Sequence, residues 1–151
     1  MTNDQIVLMD FFKTVRSLSG GEGSKELFMA SHVAHLLHRF PFSSEVKTEL
    51  RGKDKEVFIV DADEKIFDLI GYTPDELKGK PLSFIMEGKL NTAKQKRILH
   101  DLNTYGVAVK TNKNKHKDGS IVDTFGWIFN MGTDSNVEVV MDVKNIIGYV
   151  G

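Results

Sequence analysis

Apolar residues recur at helical spacing in the first part of the chain. Between Thr2 and Leu18, side chains three or four positions apart form one stripe, which predicts an amphipathic helix. A glycine-rich segment, 19–24, interrupts the stripe and predicts a flexible link. A second helix is expected from about Lys25 to Arg39, because Pro41 disfavours helix in the residue before it.

After Ser44 the pattern changes from helical to alternating, which indicates short strands. The predicted order is two strands, several short helical pieces, one long helix and three further strands. The strands are expected at 46–51, 56–61, 107–115, 120–131 and 137–143, and the long helix at about 92–104. Asp118-Gly119 is a hairpin turn signal. This order predicts an α+β fold, a five-stranded antiparallel sheet with helices on one face.

Composition narrows the class of protein. The chain has 151 residues, 40% of them hydrophobic and 27% charged, which is typical of one globular domain with an appendage. It contains no cysteine, which excludes disulfides, thiolate metal sites and cysteine nucleophiles. No apolar run is long enough to cross a bilayer, and no signal-peptide pattern is seen. A cytoplasmic location without membrane contact is therefore expected.

Charge is distributed unevenly along the chain. The segment 89–117 carries eight lysine and arginine residues against the single acid Asp101, while the whole chain has a net charge of −1. Such a segment could attract an anionic partner, or could be a solvated helix face and hairpin tip. Its only aromatic residue is Tyr105, so base stacking has little support and nucleic-acid binding is not expected.

Three motifs in a fixed order resemble those of a known family. Residues 63–80 contain an aspartate before an apolar helix, then Gly-Tyr, then Thr-Pro-Asp-Glu-Leu-Lys-Gly-Lys. Lys117-Asp118-Gly119-Ser120 forms a hairpin signal, and Asp142-Val143-Lys144 follows the last expected strand. Together these motifs resemble the PAS domain family over about Val46 to Ile147.

The resemblance implies a five-stranded sheet that cups a small cavity, and a signalling role. It suggests the sensor module of a bacterial or archaeal regulator, such as a histidine kinase or transcription regulator, which binds a small ligand, mediates dimerisation, or does both. An output domain or partner regulator would receive the signal. The expected division is a helical extension at 1–45, the PAS domain at 46–147 and a tail at 148–151. The main alternative is a protein-interaction domain without a ligand.

Cofactors are not expected. Relatives that bind flavin covalently use a cysteine, and haem-binding relatives use a histidine that aligns near Gln95 rather than at His100. Haem or noncovalent flavin is a lesser alternative. His32, His35 and His38 could share a metal in pairs, yet no carboxylate clearly joins them, so no metal site is predicted.

Catalysis has little support in the sequence. No nucleophile, base and orienting acid can be placed together, and no glycine-rich loop lies between a strand and a helix. The chain is therefore expected not to be an enzyme, with an isomerase-like enzyme that uses a buried carboxylate as a third alternative.

The two faces of the last three strands differ, since side chains alternate across a sheet. Odd-numbered positions are the more apolar, and composition alone would turn them inward. Counting from the Asp118-Gly119 hairpin, as the resemblance implies, turns the even-numbered positions to the cavity instead. The odd face would then be covered by the N-terminal helices or by a second copy in a homodimer. The expected interface residues are Phe11, Val15, Phe125, Trp127 and Phe129.

The even face and the helices above it supply the expected ligand-binding residues. These are Phe67, Ile70, Phe84, Ile98, Leu102, Asn112, Thr124, Ile128, Glu138 and Val140. A cavity lined in this way would suit a small polar ligand. Alternatively, Phe67, Phe84, Ile98 and Leu102 fill the space, and no ligand binds.

Overall fold

The computed structural model describes residues 22–88 and 92–150, with side chains at 29–88 and 93–146. Its helices are α1 (Glu22–Arg39), α2 (Ile66–Ile70), α3 (Pro74–Leu77), α4 (Thr92–Tyr105) and α5 (Val143–Val150), with a 3-10 helix at Leu82–Ile85. Its strands are β1 (Ser44–Arg51), β2 (Glu56–Ala62), β3 (Val107–Lys115), β4 (Ile121–Gly132) and β5 (Ser135–Asp142). The predicted first helix, with Phe11 and Val15, lies outside the described residues.

The five strands form one antiparallel sheet in the order β2-β1-β5-β4-β3. The predicted α+β architecture is therefore confirmed. The β3–β4 hairpin turns at Asp118-Gly119, where Gly119 has a φ of +92°. Because this turn sets the register, Lys115 lies opposite Ile121, and every even-numbered position of β3 faces an even-numbered position of β4.

Local sequence signals explain the short helices. The Thr73 hydroxyl accepts a hydrogen bond from the Glu76 backbone N–H, and the Glu76 carboxylate accepts one from the Thr73 backbone N–H, so the capping box of α3 is complete. Gly71 ends α2 with a φ of +77°, a left-handed conformation that favours glycine. A Cβ at Gly71 would also lie 2.5 Å from the His116 ring, so the hairpin tip packs directly against this turn.

The inner face of the sheet carries two apolar clusters beneath α2, α3 and α4. The first joins Val46, Ile59, Ile66, Leu69, Ile70, Leu77, Ile85 and Val140. The second, under α4, joins Leu102, Ala108 and Ile128, with Ile98 packed against it. These clusters fix the short helices and α4 over the same face of the sheet.

The outer face is covered by α1 and α5. Met29, Val33 and Leu36 of α1 are buried against an apolar surface of β3, β4 and β5. That surface comprises Val107, Phe125, Trp127, Phe129, Val137, Val139 and Met141, and Val143 and Ile146 of α5 pack on it. The expectation that the odd-numbered face is covered by an N-terminal helix is confirmed for α1.

Some predicted boundaries and positions were wrong. The flexible link was placed at 19–24, but α1 begins at Glu22, so Gly23 and Ser24 are helical. Residues 148–150, predicted as a tail, belong to α5, which starts where Asp142 Oδ1 accepts the backbone N–H of Lys144 at 2.8 Å.

Candidate functional site

A cavity of about 620 Å³ lies between α4 and the inner face of the sheet. Its volume is within the range of small-molecule sites. α4 contributes Lys94, Gln95, Ile98, Leu99 and Leu102, and the sheet contributes Thr48, Leu50, Val57, Lys110, Asn112, Thr124, Ile128, Asn136 and Glu138. Leu82, Met86, Glu87, Thr111, Lys113, Asp123 and Val143 complete the lining. One wall is therefore largely apolar, and the sheet floor is polar and charged.

A buried ion pair between Lys110 of β3 and Glu138 of β5 crosses the floor of this cavity. Their side chains are only 11% and 6% exposed. The intervening strand places Gly126 opposite both Lys110 and Val140, so no side chain of β4 separates the pair. Apart from this ion pair, the buried Oε1 of Glu138 accepts no hydrogen bond in the described part of the chain.

Amides and hydroxyls extend the polar floor. Asn114 donates through Nδ2 to Thr124 Oγ1 at 3.0 Å, and the Thr124 hydroxyl donates to the Asn112 carbonyl at 3.3 Å. Asn130 donates to the side-chain oxygen of Asn136 at 3.3 Å. Because buried polar groups need partners, these bonds hold the lining side chains in place.

Lys94 brings a second ammonium group to the cavity from α4. Its Nζ donates to Asn112 Oδ1 at 2.9 Å. Burial lowers the pKa of Lys94, and the positive charges of Lys110 and Arg97 lower it further. The cavity lining thus contains three lysines, Lys94, Lys110 and Lys113, and three carboxylates, Glu87, Asp123 and Glu138.

The predicted ligand-binding residues divide into three groups: those that line the main cavity, those that border a neighbouring pocket, and two that lie outside both. Ile98, Leu102, Asn112, Thr124, Ile128 and Glu138 line the main cavity. Ile70 and Val140 lie in the neighbouring apolar cluster and border a small pocket that shares Lys110, Asn112 and Glu138 with the cavity. Whether any of them binds a ligand stays a prediction.

The placement of Phe67 and Phe84 in the cavity was wrong. Phe67 is 53% exposed, because the short helix α2 buries Ile66, Leu69 and Ile70 and turns Phe67 to the other side. Phe84 is 41% exposed, and its ring packs on Tyr72 at 5.3 Å. These rings do not fill the cavity, so the alternative of a space closed by both phenylalanines is also wrong.

Lys110, Lys94 and Asn136 were missed as candidate residues. Lys110 occupies an even-numbered strand position, which was expected to face inward, whereas Asn136 lies just outside the predicted strand 137–143 and belongs to β5 in the structure. The sequence did contain a signal for the ion pair. A lysine and a glutamate lie on the inward face of two strands, and the strand between them has a glycine at the intervening position. Lys94 could be found only once α4 was placed over the sheet.

The β3–β4 hairpin tip is fastened to the α2–α3 segment. Lys117 forms an ion pair with Glu76 at 2.7 Å, and its backbone N–H donates to the Ile70 carbonyl at 2.9 Å. The hydrogen bond from Lys117 lowers the pKa of Glu76, with a smaller contribution from the Thr73 backbone. Within the tip, hydrogen bonds from Ser120 lower the pKa of Asp118.

The histidines do not converge on the cavity. His100 is exposed on α4, and none of the described residues that line the cavity is a histidine. The lining residues therefore offer no imidazole ligand for haem. His35 and His38 are exposed on α1, and among the described residues no three metal-ligating side chains come together. Burial, and then the nearby His35, lower the pKa of the half-buried His32.

Comparison with known proteins identifies the fold. A PAS domain from Colwellia psychrerythraea is 18% identical with a TM-score of 0.53, over 74% of this chain and 96% of that one. The LOV domain of a blue-light activated histidine kinase from Erythrobacter litoralis is 13% identical with a TM-score of 0.55, over 67% and 95%. The PAS domain, in complex with ethanol, of a LuxR-family transcriptional regulator from Burkholderia thailandensis is 12% identical with a TM-score of 0.56, over 68% and 89%.

These similarities, together with the sheet order and the helices above it, show that the chain has a PAS fold. The expected resemblance is thus confirmed at the level of structure. No family model matches the sequence, and no curated protein matches it. In the described part of the chain, no helix is long and apolar enough to span a membrane.

Proposed function

We propose that this chain is the sensor module of a bacterial or archaeal signalling regulator, a histidine kinase or a transcription regulator, and that its cavity binds a small molecule. The observation that carries the proposal is the 620 Å³ cavity with charged and amide side chains on its floor. A purely structural interior would normally be packed without such a space. The proposed role is binding and signalling rather than catalysis.

The neighbours in structure support this proposal. One is described as part of a blue-light activated histidine kinase, and another as the ethanol-bound PAS domain of a transcriptional regulator. Cofactor chemistry is expected to differ from that of the LOV domains. This chain has no cysteine with which a flavin could form a covalent bond. An absorbance spectrum of the purified protein, expected to lack flavin and haem bands, tests this part of the proposal.

A route for the signal is offered by β4. Thr124 and Ile128 line the cavity on the inner face, while Phe125, Trp127 and Phe129 pack under α1 on the outer face. Because neighbouring residues of one strand point to opposite faces, a shift of β4 at the cavity changes the packing of the outer helices. We propose that α1 and α5 carry this change to an output domain or partner regulator.

Native mass spectrometry, followed by titration of released compounds, tests the ligand-binding role. Ile98 lines the cavity from α4, so Ile98→Trp should fill it and abolish retention of any co-purifying small molecule. His100→Trp is the matched control, since His100 lies on the exposed side of the same helix. Retention that is lost in the first variant and kept in the second supports the proposal. Equal retention in both would contradict it.

A second function, docking of a protein partner without a ligand, is favoured by exposed aromatic rings. Phe67 and Phe84 are 53% and 41% exposed on the helical side of the molecule. Exposed aromatic side chains of this kind occur at interfaces. Under this alternative, the protein carries no small molecule, and Phe67→Ser weakens dimerisation or partner binding. We propose a homodimer under both functions, the ligand sensor and the docking domain. Sedimentation velocity of the full chain measures whether the dimer forms.

A further inference from the structure

Two buried polar side chains on the cavity floor have unused hydrogen-bonding capacity. Thr48 of β1 and Asn136 of β5 both line the cavity and are only 3% and 6% exposed. Asn136 Oδ1 accepts a hydrogen bond from Asn130, which leaves the hydrogens of its Nδ2 for another acceptor. In the part of the chain that the structure describes, neither this Nδ2 nor the Thr48 hydroxyl makes a hydrogen bond. Because buried polar groups normally have partners, these two groups point to a ligand.

The two groups lie side by side on the floor. Thr48 is directly opposite Asn136 in the pairing of β1 with β5, so their Cβ atoms are about 4.5–5.5 Å apart on the same face. Asn130 pairs with Asn136 from β4, on the other side, and fixes the direction of its amide. An N–H donor therefore lies beside a hydroxyl that can donate or accept. A carboxamide matches this pair, since its oxygen accepts and its neighbouring N–H donates.

The charges of the cavity favour an uncharged ligand. The lining contains three lysines and three carboxylates. Lys110 is paired with Glu138, and Lys113 is paired with Asp123 at 3.3 Å. A charged head group would lose its hydration on entry, while the charges of these two pairs are already compensated. An uncharged amide loses less hydration, so hydrogen bonds can select it.

Apolar side chains lie near the Thr48–Asn136 pair. Leu50 is two residues beyond Thr48 on the same face of β1, and Val57 of β2 lies opposite Leu50. Both line the cavity, as does Leu102 of α4. This surface can bury a hydrocarbon or aromatic body and gain the free energy of removing that body from water.

We propose that the cavity binds an uncharged small molecule with a carboxamide at one end and an apolar body at the other. The carbonyl oxygen accepts a hydrogen bond from Asn136 Nδ2, and the amide N–H donates to Thr48 Oγ1. The body lies against Leu50, Val57 and Leu102. This inference rests on the proposed ligand-binding function and specifies its ligand class.

Three probes of the same shape test the inference. 4-Butylbenzamide, 4-butylacetophenone and 4-butylbenzoate share one apolar body and differ at a single position, which is an NH₂, a CH₃ or an O⁻. Isothermal titration calorimetry on the full chain is expected to give the amide an affinity about tenfold above that of the ketone, because the ketone cannot donate to Thr48. The benzoate is expected to bind at least about tenfold more weakly than the amide, because its charge must be dehydrated.

Two variants locate the amide. Thr48→Val keeps the shape of the side chain and removes the hydroxyl, so it should lower amide affinity about tenfold and leave ketone affinity unchanged, which also shows that the variant is folded. Asn136→Ala should lower both affinities, since both probes carry the carbonyl oxygen. Thr104→Val is the control: Thr104 is exposed on α4 and does not line the cavity. Its amide affinity should match that of the unaltered chain.

The contrary results are distinct. If the ketone or the benzoate binds as tightly as the amide and Ile98→Trp abolishes binding, the ligand class is wrong while the ligand-binding function stands. If Thr48→Val leaves amide affinity unchanged, or Thr104→Val lowers it equally, the proposed position of the amide is overturned. If none of the three probes binds, the inference fails, and retention of a small molecule in native mass spectrometry decides separately on the proposed function.

Discussion

Lys110 of β3 and Glu138 of β5 form an ion pair across the intervening strand β4. The pair passes over Gly126, a position of β4 that has no side chain. A Cβ at Gly126 would come within 2.6 Å of the Val139 carbonyl oxygen, so the neighbouring strand also approaches closely here. The glycine therefore serves the backbone packing and the ion pair together. Every residue larger than glycine would disturb both.

Removing one partner of this ion pair is expected to destabilise the fold strongly. Lys110→Met leaves the Glu138 carboxylate buried without its counter-ion, at a cost of about 3–5 kcal/mol. The double variant Lys110→Met/Glu138→Met removes both charges and should recover most of that loss. Chemical denaturation of the four proteins in a double-mutant cycle measures the coupling. A double variant as unstable as the sum of the single ones would show that the two side chains are not coupled.

Substitution of Gly71 should cost more than substitution of Gly79. Both have positive φ, so alanine at either position is strained by about 1–2 kcal/mol. Only Gly71 also meets the His116 ring, whereas a Cβ at Gly79 has no atom within 4 Å. The extra cost of Gly71→Ala, measured by thermal unfolding, should shrink in a His116→Ala background. Equal costs for the two glycines would contradict the described packing of the hairpin tip.

Leu36 tests the packing of α1 on the outer face. It is 2% exposed in the cluster with Trp127 and Phe129, so Leu36→Ala is expected to lower the free energy of unfolding by about 2–5 kcal/mol. His35→Ala, at the exposed position next to it, should change stability by less than about 0.5 kcal/mol. Because the chain has a single tryptophan, the fluorescence of Trp127 should shift to longer wavelength in the first variant only. An unchanged spectrum and stability would show that α1 does not cover this face.

The Glu76–Lys117 ion pair should make stability depend on pH in the acid range. Lys117 holds the pKa of Glu76 below its ordinary value of 4.5, so the carboxylate form stabilises the folded chain. That contribution is complete above about pH 4.5 and is lost as the pH falls through the lowered pKa of the folded state. Glu76→Gln, which keeps an acceptor for the Thr73 cap, should therefore lower the melting temperature at pH 7 and have less effect at pH 3.

A control separates this effect from general acid sensitivity. Glu64 is an exposed carboxylate with no ion pair in the described part of the chain. Glu64→Gln should leave the difference in melting temperature between pH 7 and pH 3 unchanged. If the melting temperatures of both variants depend on pH in the same way, Lys117 has no specific role in the acid sensitivity.

Much of the fold could be predicted because its signals are local. Thr73, Pro74 and Glu76 define the start of α3 within four residues, and Asp118-Gly119 defines the hairpin turn. Since side chains alternate along a strand, counting from that turn also placed Thr124 and Glu138 toward the cavity. Both lie there.

The rest depends on contacts that are distant in sequence. A helix as short as α2 has too few positions to show which side is buried, so the exposure of Phe67 could not be read from its pattern. The pairing of Lys110 with Glu138 depends on the order of β3, β4 and β5 and on the glycine between them. The position of Lys94 depends on how α4 crosses the sheet, which no local signal specifies.

The packing of α1 on the face opposite the cavity has a practical consequence for protein engineering. A reporter enzyme joined to α1 would be attached on the side of the sheet opposite the cavity. Such a chimera would leave the mouth of the cavity unobstructed. The chain could therefore serve as an exchangeable input unit, whose response is selected by altering the floor of the cavity without redesigning the junction.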